Sequence, residues 1–238
     1  MKTIIHKAET RGHAHHGWLK TYHTFSFASY YDPQRIHFGA LRVLNDDTIA
    51  AGEGFGTHPH DNMEIITLPL VGDLKHKDSM GNEGIIKSGD LQMMSAGSGI
   101  EHSEFNASNN KEVQLLQIWL FPNKKNVEPR YGQINLQGLE KENELYQILS
   151  PDKRDQGVWI HQDAWFHLGS LKSGWEGMYS LKGKNHGVYI FVIKGEASIE
   201  NNLLYARDGI GISEVKKFNI TVHKNSRLLL MEVPMQIH

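Results

Sequence analysis

From about residue 22 onward the chain is a succession of short apolar runs punctuated by glycine and polar residues: HTFSFAS, FGALRVL, MEIITLPLVG, GDLQMMSAG and VQLLQIWLF. Runs of this length, recurring every ten to fifteen residues or so, predict the strands of an all-β barrel or sandwich. Amphipathic repeats of helical period are missing. DSMGN (78–82) sits between two such runs and predicts a hairpin loop with Gly81 at positive φ. FPNKKNVEPRYGQ (121–133), with Pro122 and Pro129, breaks the pattern and predicts an inter-domain linker. Beyond it, VYIFVIKGEASIENN and LYARDGIGIS repeat the strand grammar. In each half an apolar strand ends at a glycine, turns, and meets a glycine–aspartate pair (89–90, 208–209) before the next apolar strand. This weak internal repeat predicts two related β domains, residues 1–125 and 126–238.

Composition narrows the chemistry. The 238 residues carry a formal net charge of −2, with no block of like charges to bind a phosphate backbone, so direct nucleic-acid binding is not expected. No window approaches the 18 or so apolar residues that cross a bilayer, and the Thr-Ile-Ile stretch near the start is far shorter than a signal-peptide core. A cytoplasmic protein without membrane partners is the expectation. Cysteine is absent, so a transition metal would have to be held by His, Asp or Glu. Histidine, by contrast, occurs 15 times.

Two short segments arrange those histidines usefully. GTHPHDNMEI places His58 and His60 at i and i+2, the spacing that puts side chains on one face of a strand. SGIEHSEF places His102 and Glu104 at the same spacing, behind the turn Gly97-Ser98-Gly99. Two dyads from separate strands could supply four ligands. Three imidazoles and a carboxylate suit a divalent first-row ion such as Fe, Mn, Co, Ni, Cu or Zn and leave positions open for substrate. Pro59 cannot donate to a sheet ladder, so this strand must lie at an edge, a bulge or a strand entrance. Glu64, four residues after His60, would return to the same face of an uninterrupted strand and competes with Glu104 for coordination.

These residues also carry a resemblance. GFGTHPHDNMEI and MSAGSGIEHSEFN are similar to the two signature motifs of the pirins, members of the cupin superfamily. RGHAHHGWLKTYHTFSFASYYDP and FGALRVLNDD resemble the N-terminal part of the bacterial quercetinase-type pirins. The resemblance implies an all-β bicupin of two jelly-roll-like barrels, with one metal, often Fe(II), held in the first by His58, His60, His102 and Glu104. It implies dioxygen-dependent cleavage of a flavonol such as quercetin, with loss of carbon monoxide. Glu104 would then be ligand and base, and Glu64 the alternative base. A metal-binding regulatory protein acting through a protein partner, or another metal-assisted cupin enzyme, would use the same ligands. Asp61 departs from the pattern, since pirins often carry a basic residue there.

For the remaining candidates packing is the leading expectation. His13 and His15 in GHAHHG lack a carboxylate partner and predict a polar surface, and His161 with Asp163 predicts a structural pair. His23, Phe25 and Phe27, like Leu116, Ile118 and Leu120, predict core faces, with the aromatic set also able to wall a pocket. Met63, Met93 and Met94 predict barrel filling.

Overall fold

The computed structural model describes residues 1–237. Its strands form three antiparallel-dominated sheets of seven, four and nine strands. In the seven-stranded sheet Arg130–Asn135, Asp90–Ser95, Glu64–Val71, Val113–Leu120, Leu41–Ile49, Leu19–His23 and Gly12–His15 lie side by side in that order. The four-stranded sheet runs Gly54–His60, Ile100–Asn106, Leu74–Asp78, Glu83–Ile86. These two sheets face one another. Leu19, Ile49, Val113 and Leu115 of the first pack with Leu74 and Ile86 of the second in one apolar cluster. The hairpin expected at 78–82 joins the last two strands, with Gly81 at φ 92°.

The second half is built on two long strands, His186–Ile199 and Lys217–Pro234, paired along most of their length. Register shifts between Val192 and Ala197, with Gly195 at φ 98°, bend the pair so that it serves two layers. At Gly195 a Cβ would meet the Ser226 hydroxyl at 2.2 Å, so a larger residue is excluded there.

Sequence alternation explains how the halves join. Ile66 and Leu68 on one face of Glu64–Val71, with Leu116, Ile118 and Leu120 on the neighbouring strand, share a continuous core with Tyr146, Phe166, Tyr189, Leu229 and Met231 of the second half. The opposite face of the same strands lines the interior of the first half. The seven-stranded sheet is therefore buried on both sides, which is why runs such as EIITLPLV read as almost unbroken apolar sequence. Phe25 and Met93 join this shared core, whereas Met94 fills the first half with Ile65, Ala96 and Ile100.

Two strands pair across position 125/126. Lys2–His6 adds to Gly209–Ser213 in the second half, and Arg130–Asn135 adds to Asp90–Ser95 in the first. The linker expected over 121–133 is correspondingly shorter. From Arg130 on, the backbone finds ladder partners on the outer edge of Asp90–Ser95. Asp46 strengthens the join by pairing with Arg11 at 3.1 Å and Arg207 at 3.4 Å.

The N-terminal strand is fastened by His6, whose Nδ1 lies 2.8 Å from the Tyr189 hydroxyl in a buried contact. Burial, aided by Arg35, lowers the His6 pKa to about 4, below the unfolded value of about 6.5. The unfolded chain therefore takes up this proton first as pH falls. The stability tied to neutral His6 is complete above pH 6.5 or so and is lost progressively toward pH 4. His6→Asn should cost about 1–2 kcal/mol at pH 7.5. Its urea midpoint should also fall less steeply than the parent's between pH 6.5 and 4, and an unchanged slope would refute the assignment.

Candidate metal centre

The first histidine strand, Gly54–His60, is an edge strand of the four-stranded sheet, and this is how Pro59 is accommodated. Its neighbour Ile100–Asn106 places His102 directly opposite His58, with Glu101 opposite Pro59 and Ile100 opposite His60. A bulge between His102 and Glu104 then shifts the register. The turn behind the second dyad depends on Gly97, at φ 51°, where a Cβ would meet the Val127 carbonyl at 2.1 Å. The Gly97 carbonyl accepts from the Asn62 amide at 2.9 Å, tying the ends of the two dyads together.

His58, His60 and His102 converge. Their ligand-capable atoms lie within 4.8 Å of one another. Ring centroids are separated by 4.8 Å (His58 to His60), 4.5 Å (His58 to His102) and 4.9 Å (His60 to His102). The Nδ1–H of His58 donates to the Gly56 carbonyl at 2.8 Å, which leaves Nε2 with its lone pair. His102 Nδ1 lies 3.3 Å from His76 Nε2, and His102 Nε2 is a buried atom with no protein partner. Burial and the neighbouring imidazoles lower His102 to about 2 and His60 to about 4. Both rings are therefore neutral at pH 7, as ligation requires. An orphaned imidazole nitrogen within a cluster of three imidazoles fits a divalent transition ion, and nitrogen donors disfavour Ca²⁺ and Mg²⁺.

Glu104 is buried beside the cluster. Thr67 Oγ1 lies 3.3 Å from its Oε1, and Gln117 Nε2 donates to its Oε2 at 2.9 Å. Burial raises its pKa against the pull of these donors. The cluster opens into a cavity of about 190 Å³ walled by Phe27, Phe55, Ile65 and Trp119, with Asn45, Asp47 and Gln117 as further polar lining. Phe27 meets Trp119 edge to face at 5.3 Å, so the aromatic set splits: Phe25 belongs to the shared core and Phe27 to the pocket wall.

Glu64 stands elsewhere. The strand breaks after His60, where Asn62 adopts φ 45°, and Glu64 begins a strand of the opposite, seven-stranded sheet. There Ile65 and Thr67 face the cavity side, so Glu64 faces the second half, accepting a 2.7 Å bond from Ser95 Oγ. The spacing of four residues from His60 therefore does not return to the same face. Asp61 is exposed in the intervening turn. His13 and His15 are exposed, and His161 packs on Trp159.

Sequence reasoning missed Asp47, a buried carboxyl in the cavity wall. Its Oδ1 has no partner, and burial raises its pKa to about 7. The available signal was Asn45 and Asp47 at period two within the apolar run LRVLNDDTI. Gln117 and Trp119 were legible in the same way, as the face of VQLLQIWL opposite Leu116, Ile118 and Leu120.

Fold and site together define an all-β protein of two cupin halves, with a three-imidazole cluster in the first. Comparison with known proteins makes this specific. The pirin family profile matches residues 5–120, and that of the quercetinase C-terminal cupin domain matches residues 147–233. The chain is 42% identical over 230 residues to quercetin 2,3-dioxygenase of Escherichia coli strain K12, covering 97% of this chain and 98% of the relative. The crystal structure of YhhW from Escherichia coli superposes with a TM-score of 0.94 at 41% identity, covering all of both chains. That of the bacterial pirin YhhW from Escherichia coli in complex with nickel(II) gives 0.93 at 41% identity, covering 98% of this chain and 99% of that one. The chain belongs to the pirin family.

The position of Glu64 makes a testable distinction. Burial raises its pKa to about 7, opposed by the Ser95 hydroxyl. A raised carboxyl pKa stabilises the fold below the unfolded value of about 4.3, and this contribution is lost as pH rises through 7 or so. Glu64→Gln should therefore gain stability relative to the parent between pH 5 and pH 8 in urea titrations. Its bound-metal content should be unchanged, and a loss of metal would return Glu64 to the ion's surroundings.

Proposed function

We propose that this protein is a metal-dependent dioxygenase that opens a flavonol such as quercetin with release of carbon monoxide. In this reading one divalent ion, iron in the native state, is held by His58, His60, His102 and Glu104. The observation that carries the proposal is the convergence of three imidazoles on a pocket walled by Phe27, Phe55 and Trp119. The 42% identical relative named quercetin 2,3-dioxygenase supports the choice of substrate.

Bound there, the ion would supply Lewis acidity toward a phenolic oxygen and the redox chemistry that dioxygen demands. The chain's own residues do the rest. The carbonyl of Gly56 and the ring of His76 orient His58 and His102. Thr67 and Gln117 hold Glu104 in one rotamer. The substrate hydroxyl must lose a proton, and Glu104, raised by burial, is a basic acceptor within the pocket. Asp47, raised to about 7, takes the place expected of Glu64 as the second carboxyl that can hold a proton there.

The aromatic walls offer flat apolar faces to a planar ring and keep water from it. At about 190 Å³ the cavity is smaller than the roughly 300–1,000 Å³ usual for drug-sized ligands. One ring of a flavonol would thus lie inside, with the remainder outside the cavity.

Metal-quantified protein incubated with quercetin should consume oxygen and release carbon monoxide in equal amounts. His58→Ala and His102→Ala should abolish both, while Glu104→Gln should lose most of the bound metal. Absence of gas exchange from protein fully loaded in turn with Fe, Mn, Co, Ni and Cu would overturn the flavonol assignment. Undiminished metal in Glu104→Gln would remove that residue from the ligand set.

A further inference from the structure

A second recess, of about 1070 Å³, opens in the second half and shares no lining residue with the histidine pocket. Its floor is apolar, made by Ile4, Phe38, Leu181, Val215 and Met235. Ile4, on the N-terminal strand that crosses into this half, remains 41% exposed there. Around the floor stand four exposed lysines, Lys2, Lys182, Lys184 and Lys216, against one exposed acid, Glu214. The whole chain carries a formal charge of −2, so this rim concentrates positive charge against the overall balance.

The lysine-bearing loop is fixed from beneath. Glu232, fully buried, accepts from the backbone amides of Lys182 at 2.8 Å and Gly183 at 2.7 Å through Oε1, and from the Tyr179 hydroxyl at 2.9 Å through Oε2. His186 Nδ1 lies 3.2 Å from the same Oε1, and its ring lies so close under Gly183 that a Cβ there would meet it at 2.2 Å. Much of the ordering cost of this wall is thus met before any ligand arrives.

We propose that this recess binds an amphipathic organic anion, a ring system bearing a carboxylate, sulfonate or phenolate. The ring would lie on Phe38, Ile4 and Met235, with the acidic group among Lys182, Lys184 and Lys216. An apolar floor with a few placed charges is the usual composition of small-molecule sites, and the recess is at the upper end of their size. The lysine ring selects for an anion, and a neutral ligand of the same shape gains only the floor.

The probe pair 1-anilinonaphthalene-8-sulfonate and N-phenyl-1-naphthylamine tests this directly, because the two differ only in the sulfonate. Fluorescence and calorimetric titrations of the full chain should show one sulfonated probe bound per chain, with the neutral probe about tenfold weaker. Lys182→Glu with Lys216→Glu should weaken the anion about tenfold and leave the neutral probe unaffected. His58→Ala should bind both as the parent does. Both lysines are exposed, and an unchanged melting temperature in the double variant confirms that its fold persists. Equal affinity for the two probes, indifference to charge reversal, or loss of binding in His58→Ala would each overturn the proposal.

Discussion

The burial of the seven-stranded sheet on both faces is the constraint on which the rest of the molecule depends. Along Glu64–Val71 and Val113–Leu120, side chains alternate between two interiors. Ile65, Thr67, Gln117 and Trp119 serve the histidine pocket, and Ile66, Leu68, Leu116 and Ile118 serve the core shared with the second half. A slip of one residue in either strand would exchange these sets, sending Trp119 into the shared core and Ile118 into the pocket. Neither interior could tolerate the exchange, so the join between the halves and the geometry around the histidines fix one another. The exchange of terminal strands between halves reinforces this, since the sheets cannot separate without leaving Lys2–His6 or Arg130–Asn135 unpaired.

How much of this was legible depended on the range of the interaction. The dyads His58/His60 and His102/Glu104 were readable because period two is local, and the hairpin at 78–82 because Gly81 supplies a local conformation. That His58 would face His102 across a ladder is a tertiary fact, reached from sequence only through the family resemblance. The second-half face of Glu64 was not legible. A count of four residues from His60 presumes a continuous strand, and the turn at Asp61 and Asn62 moves the chain from one sheet to the other. Asp47 was hidden for a related reason: an acid in LRVLNDDTI reads as surface until the opposing four-stranded sheet is seen to cover it.

The histidine site is held mainly by groups that bear no charge. A backbone carbonyl orients His58, a fourth imidazole, that of His76, lies against His102, and an amide and a hydroxyl grip Glu104. Neutral support suits a cation site. A nearby lysine or arginine would raise the electrostatic cost of a divalent ion, whereas oriented dipoles lower it without competing for the lone pairs. Pro59 serves the same end, since its edge strand places the two flanking histidines where no further sheet partner blocks access to the rings.

The second half buries the same residue types and puts them to another use. His167, His186 and Glu232 lie in its interior near Tyr179, much as imidazoles and a carboxylate lie in the first. Here, however, the carboxylate is occupied by two backbone amides and a phenol, and the phenol also lies 3.3 Å from His167 Nδ1. A carboxylate that fastens a loop is not free to coordinate. The outcome is inverted in sign as well, because fastening that loop brings Lys182 and Lys184 to the rim of an apolar recess. One architecture thus yields two different interiors: nitrogen donors gathered around one point in the first half, and in the second a buried carboxylate that positions exposed cations.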